Sequence, residues 1–383
     1  MSKRANFTGI QQTHYVPIAE SEPSRVRSGF EGIVASRTRP PFAYTAEDDG
    51  VIEALDEIAQ VIKIRFNNGR VITTSYGEEY TNNTGLYINQ KIVVNGFKVG
   101  DKVRKGDIVT YNKEFFQADP YSKQVNFKMG VLAKIAFLDN GGTLEDASVL
   151  TSALAKKMQF EPVHMKEIEI TTDTHVHAFA AVGTYVRSTD PLMVFDESAI
   201  DFDGKGSDEL ADLLSYLNKL SPKAEHTGTV VKVEALYKAP LSQMHSSLQK
   251  IIKSITVKKD QRAAFAAGSV NADEFQKSQP LYATDKVGTI DLEPTTVVLR
   301  FYIKQIKSMD PGDKLFWDNC LKSVVSDVVD EITTESGEQV EGMTSCRGVL
   351  ARIISSPFLQ GMCNGVLHRL EDNVLAVWDN GTK

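Results

Sequence analysis

Between about residues 46 and 140 the sequence alternates β-prone runs with tight-turn signals. "VIKIRF", "RVITTSY", "LYINQKIVV" and "VLAKIAF" alternate or run apolar at strand length. Asn67-Asn68-Gly69, Asn95-Gly96 and Gly100-Asp101 separate them. Such residues accept the positive φ, or make the side-chain-to-backbone bonds, that chain reversal needs. A chain written this way folds into short twisted strands. "TGTVVKVEAL" and the long "TTVVLRFYIKQIKSM" add strands later, the second leading to a Pro311-Gly312 turn. Helical signals are fewer. "TLEDASVLTSALAKKM" sets Leu150, Leu154 and Met158 on one stripe, with Thr143 as the expected N-cap. "DELADLLSYLNKL" carries a leucine stripe behind Ser207. "SQMHSSLQKIIKSITVKKDQRAAF" is basic and amphipathic and predicts a helix or helical hairpin. The expected class is α+β, mostly β, with no repeat of solenoid type.

Bulk properties narrow the function classes. The chain has 383 residues, enough for about two or three lobes. No apolar run reaches membrane-span length, so no membrane partner is expected. The N-terminus has basic residues but no apolar stretch after them, which argues against a secretory signal. Three cysteines, Cys320, Cys346 and Cys363, have no metal-type spacing and fit a reducing compartment. The net charge of −7 argues against a free-standing DNA-binding protein. A basic cleft can still sit on an acidic body.

Four segments carry candidate chemistry. "PGDKLFWDNCLKSVVS" places Lys314 and Lys322 around a loop between two β runs. "NGGTLEDASVL" runs a Gly-Gly turn into Glu145 and Asp146. "FKVGDKVRKGDIVTYN" is a strand-turn-strand device also seen in hammerhead carriers of biotin and lipoate. "RGVLARIISSPFLQ" sets Arg352 among apolar neighbours. Each has a bland alternative: surface lysines, acidic residues favoured near a helix N-terminus, compact β structure, and an arginine stem over apolar surface.

Their order is more informative. The Arg25 cluster, "YTNNTGLYINQ", "VGDKVRKGDIV", "NGGTLEDAS", "TGTVVKV", "PGDKLFWDNCLKSVVS" and "RGVLARI" follow one another as landmarks do in the β subunit of multisubunit DNA-dependent RNA polymerases. The chain resembles the central and C-terminal half of that subunit from about residue 22 to 368, least between about 170 and 295. It departs in the loop "LFWDNCL", and in Leu321 and Ser323 around the second lysine. Its extent resembles the split, divergent β of giant-phage polymerases.

That resemblance implies a double-psi β-barrel with an inserted flap-like domain and short flanking helices. Residues 1–45 would be an extended segment docking on partner subunits. Residues 46–165 would form the first part of the barrel region, 166–295 the flap-like insertion, and 296–383 the second part with the C-terminal segment. Lys314 and Lys322 would act at the RNA 3′ end as compact charges suited to phosphate. Arg352 and Arg25 would bind the incoming triphosphate. Glu145 and Asp146 would lie near the second metal, through water. Mg²⁺ would be held mainly by a β′-like partner, so no metal-holding residue is assigned here. Implied partners are other β and β′-like fragments, template DNA, nascent RNA and nucleoside triphosphates, and could include a phage-specific promoter-recognition subunit. The implied location is the infected host's cytoplasm or the virion. Lys250, Lys253, Lys258 and Lys259 could line nascent RNA.

Two stretches imitate metal sites. "DFDGKGSDE" lacks an EF-hand's ligand order, since Gly204 comes at the fourth position and Lys205 at the fifth. Asp173, His175 and His177 in "TDTHVH" share one strand face and could hold zinc, but no fourth ligand stands out. A surface strand is the expectation there. Two rivals stay open: a hammerhead-type binding module, and a polymerase-derived structural protein without catalysis.

Overall fold

A computed structural model of the chain describes residues 18–23, 25, 27, 29–40, 42–83, 86–196, 221–273, 286–287, 290–317, 321–351 and 356–381. β structure dominates, as the punctuated runs predict. The largest sheet has eight strands and is antiparallel throughout. Its centre is Thr296–Lys304, flanked by Pro162–Thr171 and Gly228–Tyr237. The central strand is buried on both faces, which explains its near-continuous apolar run "TVVLRFYI". Val297, Leu299, Phe301 and Ile303 enter the main core with Ile168, Ile170, Val230 and Val233. The expected basic helix forms as one element, Ser246–Ala266, and sets Leu248 and Ile252 into the same core.

That helix is tied to the first β region at its other end. Arg262 is buried and donates from Nε to the Ala59 carbonyl at 2.7 Å. Lys258 donates to Gln60 at 2.5 Å. Desolvation of that ammonium, and then Arg262 beside it, push the Lys258 pKa down to about 8. Lys250 and Lys253 stay exposed.

A four-stranded sheet, in the order Val71–Ser75, Val61–Phe66, Gly50–Asp56 and Lys102–Val103, packs around Ile52, Ile62, Ile64 and Phe66. The "VGD" and "KGD" turns beside it are twins. Gly100 and Gly106 both adopt φ 91°. The Asp101 N–H returns to the Lys98 carbonyl at 3.1 Å, and the Asp107 N–H to the Arg104 carbonyl at 3.0 Å. Each aspartate side chain also accepts from the residue that opens its turn. Glycine supplies the left-handed position that other residues resist.

The third large sheet has five strands and mixes directions. Its order is Ile135–Phe137, Gly342–Thr344, Ala147–Thr151, Leu321–Val329 and Lys314–Trp317. Ile135–Phe137 runs parallel to Gly342–Thr344, and Ala147–Thr151 runs parallel to Leu321–Val329. Among the described residues these strands form an open sheet, not a closed barrel. Leu150, Leu154, Met309, Leu315 and Val325 make the core beneath it.

One expected helix is corrected here. The stripe Leu150, Leu154, Met158 predicts a helix from Thr143, but Ala147–Thr151 is a strand. It lies between two other strands, and Val149, Leu150 and Thr151 are all buried. Tertiary pairing overrides the helical spacing there. The helix is only Ser152–Lys157, capped by Thr151, whose side chain accepts from the Leu154 N–H. Buried Thr143 instead pins the loop before the strand, accepting from the Asn140 N–H at 2.9 Å. The "DELADLLSYLNKL" stretch, the "DFDGKGSDE" stretch and Arg352 lie outside the described residues. Among the described residues no helix is long and apolar enough to cross a membrane.

Candidate functional site

The five-stranded sheet brings together segments that are far apart in sequence. A third Gly-Asp turn, Asp310-Pro311-Gly312-Asp313, starts the lysine segment. Gly312 has φ 98°, and the Asp313 N–H bonds the Asp310 carbonyl at 3.0 Å. The strands Lys314–Trp317 and Leu321–Val329 then pair antiparallel, with Lys314 opposite Val324 and Phe316 opposite Lys322. Directly opposed residues share a sheet face, and so do residues two apart. Lys314 and Lys322 therefore stand diagonally on one face, about 7–8 Å apart at their backbones. Both are exposed, while Leu315, Leu321, Ser323 and Val325 point the other way and are buried. Among the described residues neither ammonium is held in an ion pair.

Glu145 and Asp146 lie just before the adjoining strand, Ala147–Thr151, beside the start of Leu321–Val329. Glu145 adopts φ 55°, a left-handed position uncommon for a residue with a Cβ. The turn is held from the lysine strand: the Val324 N–H reaches the Asp146 carbonyl at 2.9 Å, and the Ser323 hydroxyl reaches it at 2.6 Å. Beneath it, Ser148 and Ser323 share a hydrogen bond at 2.5 Å. The Ser148 hydroxyl also bonds Thr344 at 3.2 Å and receives the Trp317 indole N–H at 2.9 Å. The buried hydroxyls thus carry partners, as they must in a dry interior.

The third contributor is the segment leading to Arg352. Its helix, Cys346–Ala351, begins against the Glu145 turn. A Cβ on Gly348 would lie 2.9 Å from the Glu145 carbonyl oxygen, so this approach needs glycine. The Ser345 hydroxyl accepts from the Gly348 N–H at 3.0 Å and donates to Asp139 at 2.7 Å. That bond, with Arg347 nearby, holds the Asp139 carboxyl below the usual aspartate range. Arg347 completes the corner with an ion pair to Asp139 at 3.3 Å.

These segments line a shallow, open pocket. Its walls include Glu145, Asp146, Lys322, Ser323, Ser345 and Gly348. Among the described residues, two acidic side chains, a lysine without an ion pair and several hydroxyls line it. The arrangement can engage a phosphate through lysine and bind hydrated cations through the acidic pair. Four of the six residues assigned from sequence thus meet on one sheet: Lys314, Lys322, Glu145 and Asp146. Arg25 is elsewhere, paired with Glu371 of the helix Ser356–Gly381 at 2.8 Å. Arg352 follows the Gly348 helix directly in sequence but lies outside the described residues. The serine network and Asp139 have no sequence signal, since isolated Ser and Asp residues are ordinary surface types.

No family model matches the chain. Several curated proteins are similar to it. A β subunit of DNA-directed RNA polymerase from Orientia tsutsugamushi is 26% identical over 326 residues, covering 81% of this chain and 22% of that protein. The same-named subunit of Desulforapulum autotrophicum is 27% identical over 237 residues, 58% of this chain and 16% of its own length. That of Chlamydia felis is 27% identical over 171 residues, 44% and 13% of the two chains. The chain thus spans less than a quarter of the relatives it matches. Its similarity to bacterial DNA-directed RNA polymerase β subunits is low in identity, extends over most of the chain, and marks it as β-subunit-like.

Proposed function

We propose that the chain is a β-subunit fragment of a multisubunit DNA-directed RNA polymerase, of the split phage type, and is active only in the assembled enzyme. One observation carries this reading most: Lys314 and Lys322 share an exposed sheet face, and Lys322 lines a pocket with Glu145 and Asp146. The interleaved, partly parallel five-stranded sheet is compatible with half of a double-psi barrel region. The shallow pocket also fits a half-site, since it is too small to enclose a ligand by itself. A β′-like chain carrying the magnesium aspartates would close it.

In this reading the lysines hold the RNA 3′ end and its adjoining phosphates. Their charge offsets the negative charge that builds up during phosphoryl transfer. Glu145 and Asp146 would help hold a second Mg²⁺ through water. Arg352, and Arg25 once released from Glu371, bind the incoming triphosphate. Mg²⁺ supplies the activation of the 3′-hydroxyl and the stabilisation of pyrophosphate when bound by the partner. The competing reading, a structural descendant without catalysis, draws on the altered sequence between the two lysines.

Scaffold-primed RNA extension by the reconstituted complex separates the two. Lys314→Ala and Lys322→Ala should assemble normally yet lower extension by roughly 100-fold or more, as loss of a charge at a reacting phosphate does. The chain alone should make no RNA with Mg²⁺ and nucleoside triphosphates. Wild-type extension by both variants would remove the lysines from the reaction.

A further inference from the structure

A second polar constellation lies away from the lysine sheet. The strands His175–Phe179 and Met193–Asp196 pair antiparallel, with His175 opposite Asp196. Their register slips between Val176 and Ala178, leaving His177 as the extra residue of a bulge. Both imidazoles thereby reach one carboxylate. His177 Nε2 lies 3.1 Å from Asp196 Oδ2, and His175 Nδ1 lies 3.7 Å from Oδ1. One ligand atom from each of the three residues lies within 4.8 Å of the others.

Asp173, which sequence spacing groups with these histidines, instead accepts the Thr171 hydroxyl at 2.5 Å. Asp196 takes its place, from a strand that spacing alone does not connect. Its Oδ1 is buried and takes no hydrogen bond among the described residues. An orphaned carboxylate oxygen is costly, and a cation relieves it. Zinc binds imidazole nitrogen at about 2.0–2.1 Å and carboxylate oxygen at about 2.0–2.2 Å. Tetrahedral ligand atoms then lie about 3.3 Å apart, so side-chain shifts on the order of 1 Å complete the site.

The support behind the three groups is firm. Val176 and Met193 are buried in the main core. The Val176 N–H donates to the Ser247 hydroxyl at 3.0 Å. The His245 ring sits 4.7 Å from that of His175, but its Nδ1 is committed to Ser247, where it caps the helix Ser246–Ala266. In front the site is open, with the His175 and His177 side chains 46% and 40% exposed.

We infer that His175, His177 and Asp196 bind one zinc-class divalent cation per chain. Two imidazoles and one carboxylate suit first-row metals of this kind. The ion clamps the two strands beside the helix and leaves a fourth coordination position to solvent.

The test uses the purified full-length chain, stripped with EDTA and titrated with Zn²⁺ by calorimetry. Wild type should take up one Zn²⁺. Asp196→Asn and His177→Gln, with unchanged circular dichroism, should bind at least about tenfold more weakly. His226→Gln, from the stacked His164–His226 pair, should match wild type. Co²⁺ should give the visible bands of a four-coordinate ion. A second readout needs no variant: Zn²⁺ should shield His175 and His177, but not His226, from diethylpyrocarbonate. The inference is overturned by a folded wild type with no saturable Zn²⁺ uptake. Equal uptake by the variants, or absence of shielding, overturns it as well.

Discussion

The two main sheets differ in what their central strands bury. The eight-stranded antiparallel sheet fills its inner face with Val297, Leu299, Phe301 and Ile303, all wholly buried. The five-stranded sheet rests on a smaller apolar base and buries Ser148, Ser323, Thr344 and Ser345 among its strands. Apolar burial is non-directional and gives roughly 25 cal/mol per Å². Hydrogen-bonded hydroxyls contribute less net stability but demand one geometry. The first sheet therefore stabilises the fold. The second fixes where the turns at Glu145, Lys322 and Gly348 converge.

Perturbations of the two interiors should differ in size. Phe301→Ala in the large sheet should cost about 3–5 kcal/mol in denaturant melts, the usual price of a large buried cavity. A loss under about 1 kcal/mol would deny that sheet its stabilising role. Ser148→Ala should cost less, about 1–3 kcal/mol, because it strands the Trp317 indole N–H and removes a partner of Ser323 and Thr344. It should also lower RNA extension by the complex more than Phe301→Ala does at a temperature where both are folded. The reverse order would mean that the two sheets do not divide stability and positioning in this way.

A third perturbation acts through pH. Glu114 is buried at the rim of the large sheet, 3.3 Å from Lys91, which also pairs with Glu161 at 2.8 Å. Burial pushes its pKa up to about 7, against the opposing pull of Lys91. A carboxyl whose folded pKa lies above its unfolded one binds more protons when folded. Its contribution is full below the unfolded value near 4.5 and is lost as pH rises to about 7. Glu114→Gln should therefore gain stability relative to wild type between pH 5 and 8, by at most about 3 kcal/mol. Paired thermal melts across that range check it. A constant difference would mean the carboxyl does not titrate there. Glu161, held low by the same lysine, gives the opposite slope at more acidic pH.

Local chemistry was legible in the sequence, and non-local pairing was not. The three Gly-Asp turns, at Gly100, Gly106 and Gly312, follow from residues three apart, and each takes the left-handed glycine its dipeptide suggests. The lysine pair is legible for the same reason, since a hairpin fixes which residues share a face. Residues 147–151 mislead because Leu150 and Leu154 do enter one core, but from a strand and a helix in succession. A stripe of apolar residues cannot tell those cases apart in so short a run. Gly348 reveals its reason only once the Glu145 carbonyl is placed beside it. Asp196 joins His175 and His177 only through strand pairing and a bulge.

In the assembled polymerase the face bearing Lys314 and Lys322 is expected to meet the RNA 3′ end. The most direct measurement is photo-crosslinking in the assembled polymerase, with 4-thiouridine as the last RNA nucleotide on a DNA scaffold. Mass spectrometry of the digested complex should place the crosslink within the peptides spanning residues 310–329 or 139–148. A crosslink confined to the helix Ser246–Ala266 or to the large sheet, in a complex that still extends RNA, would remove the lysine face from the RNA 3′ end.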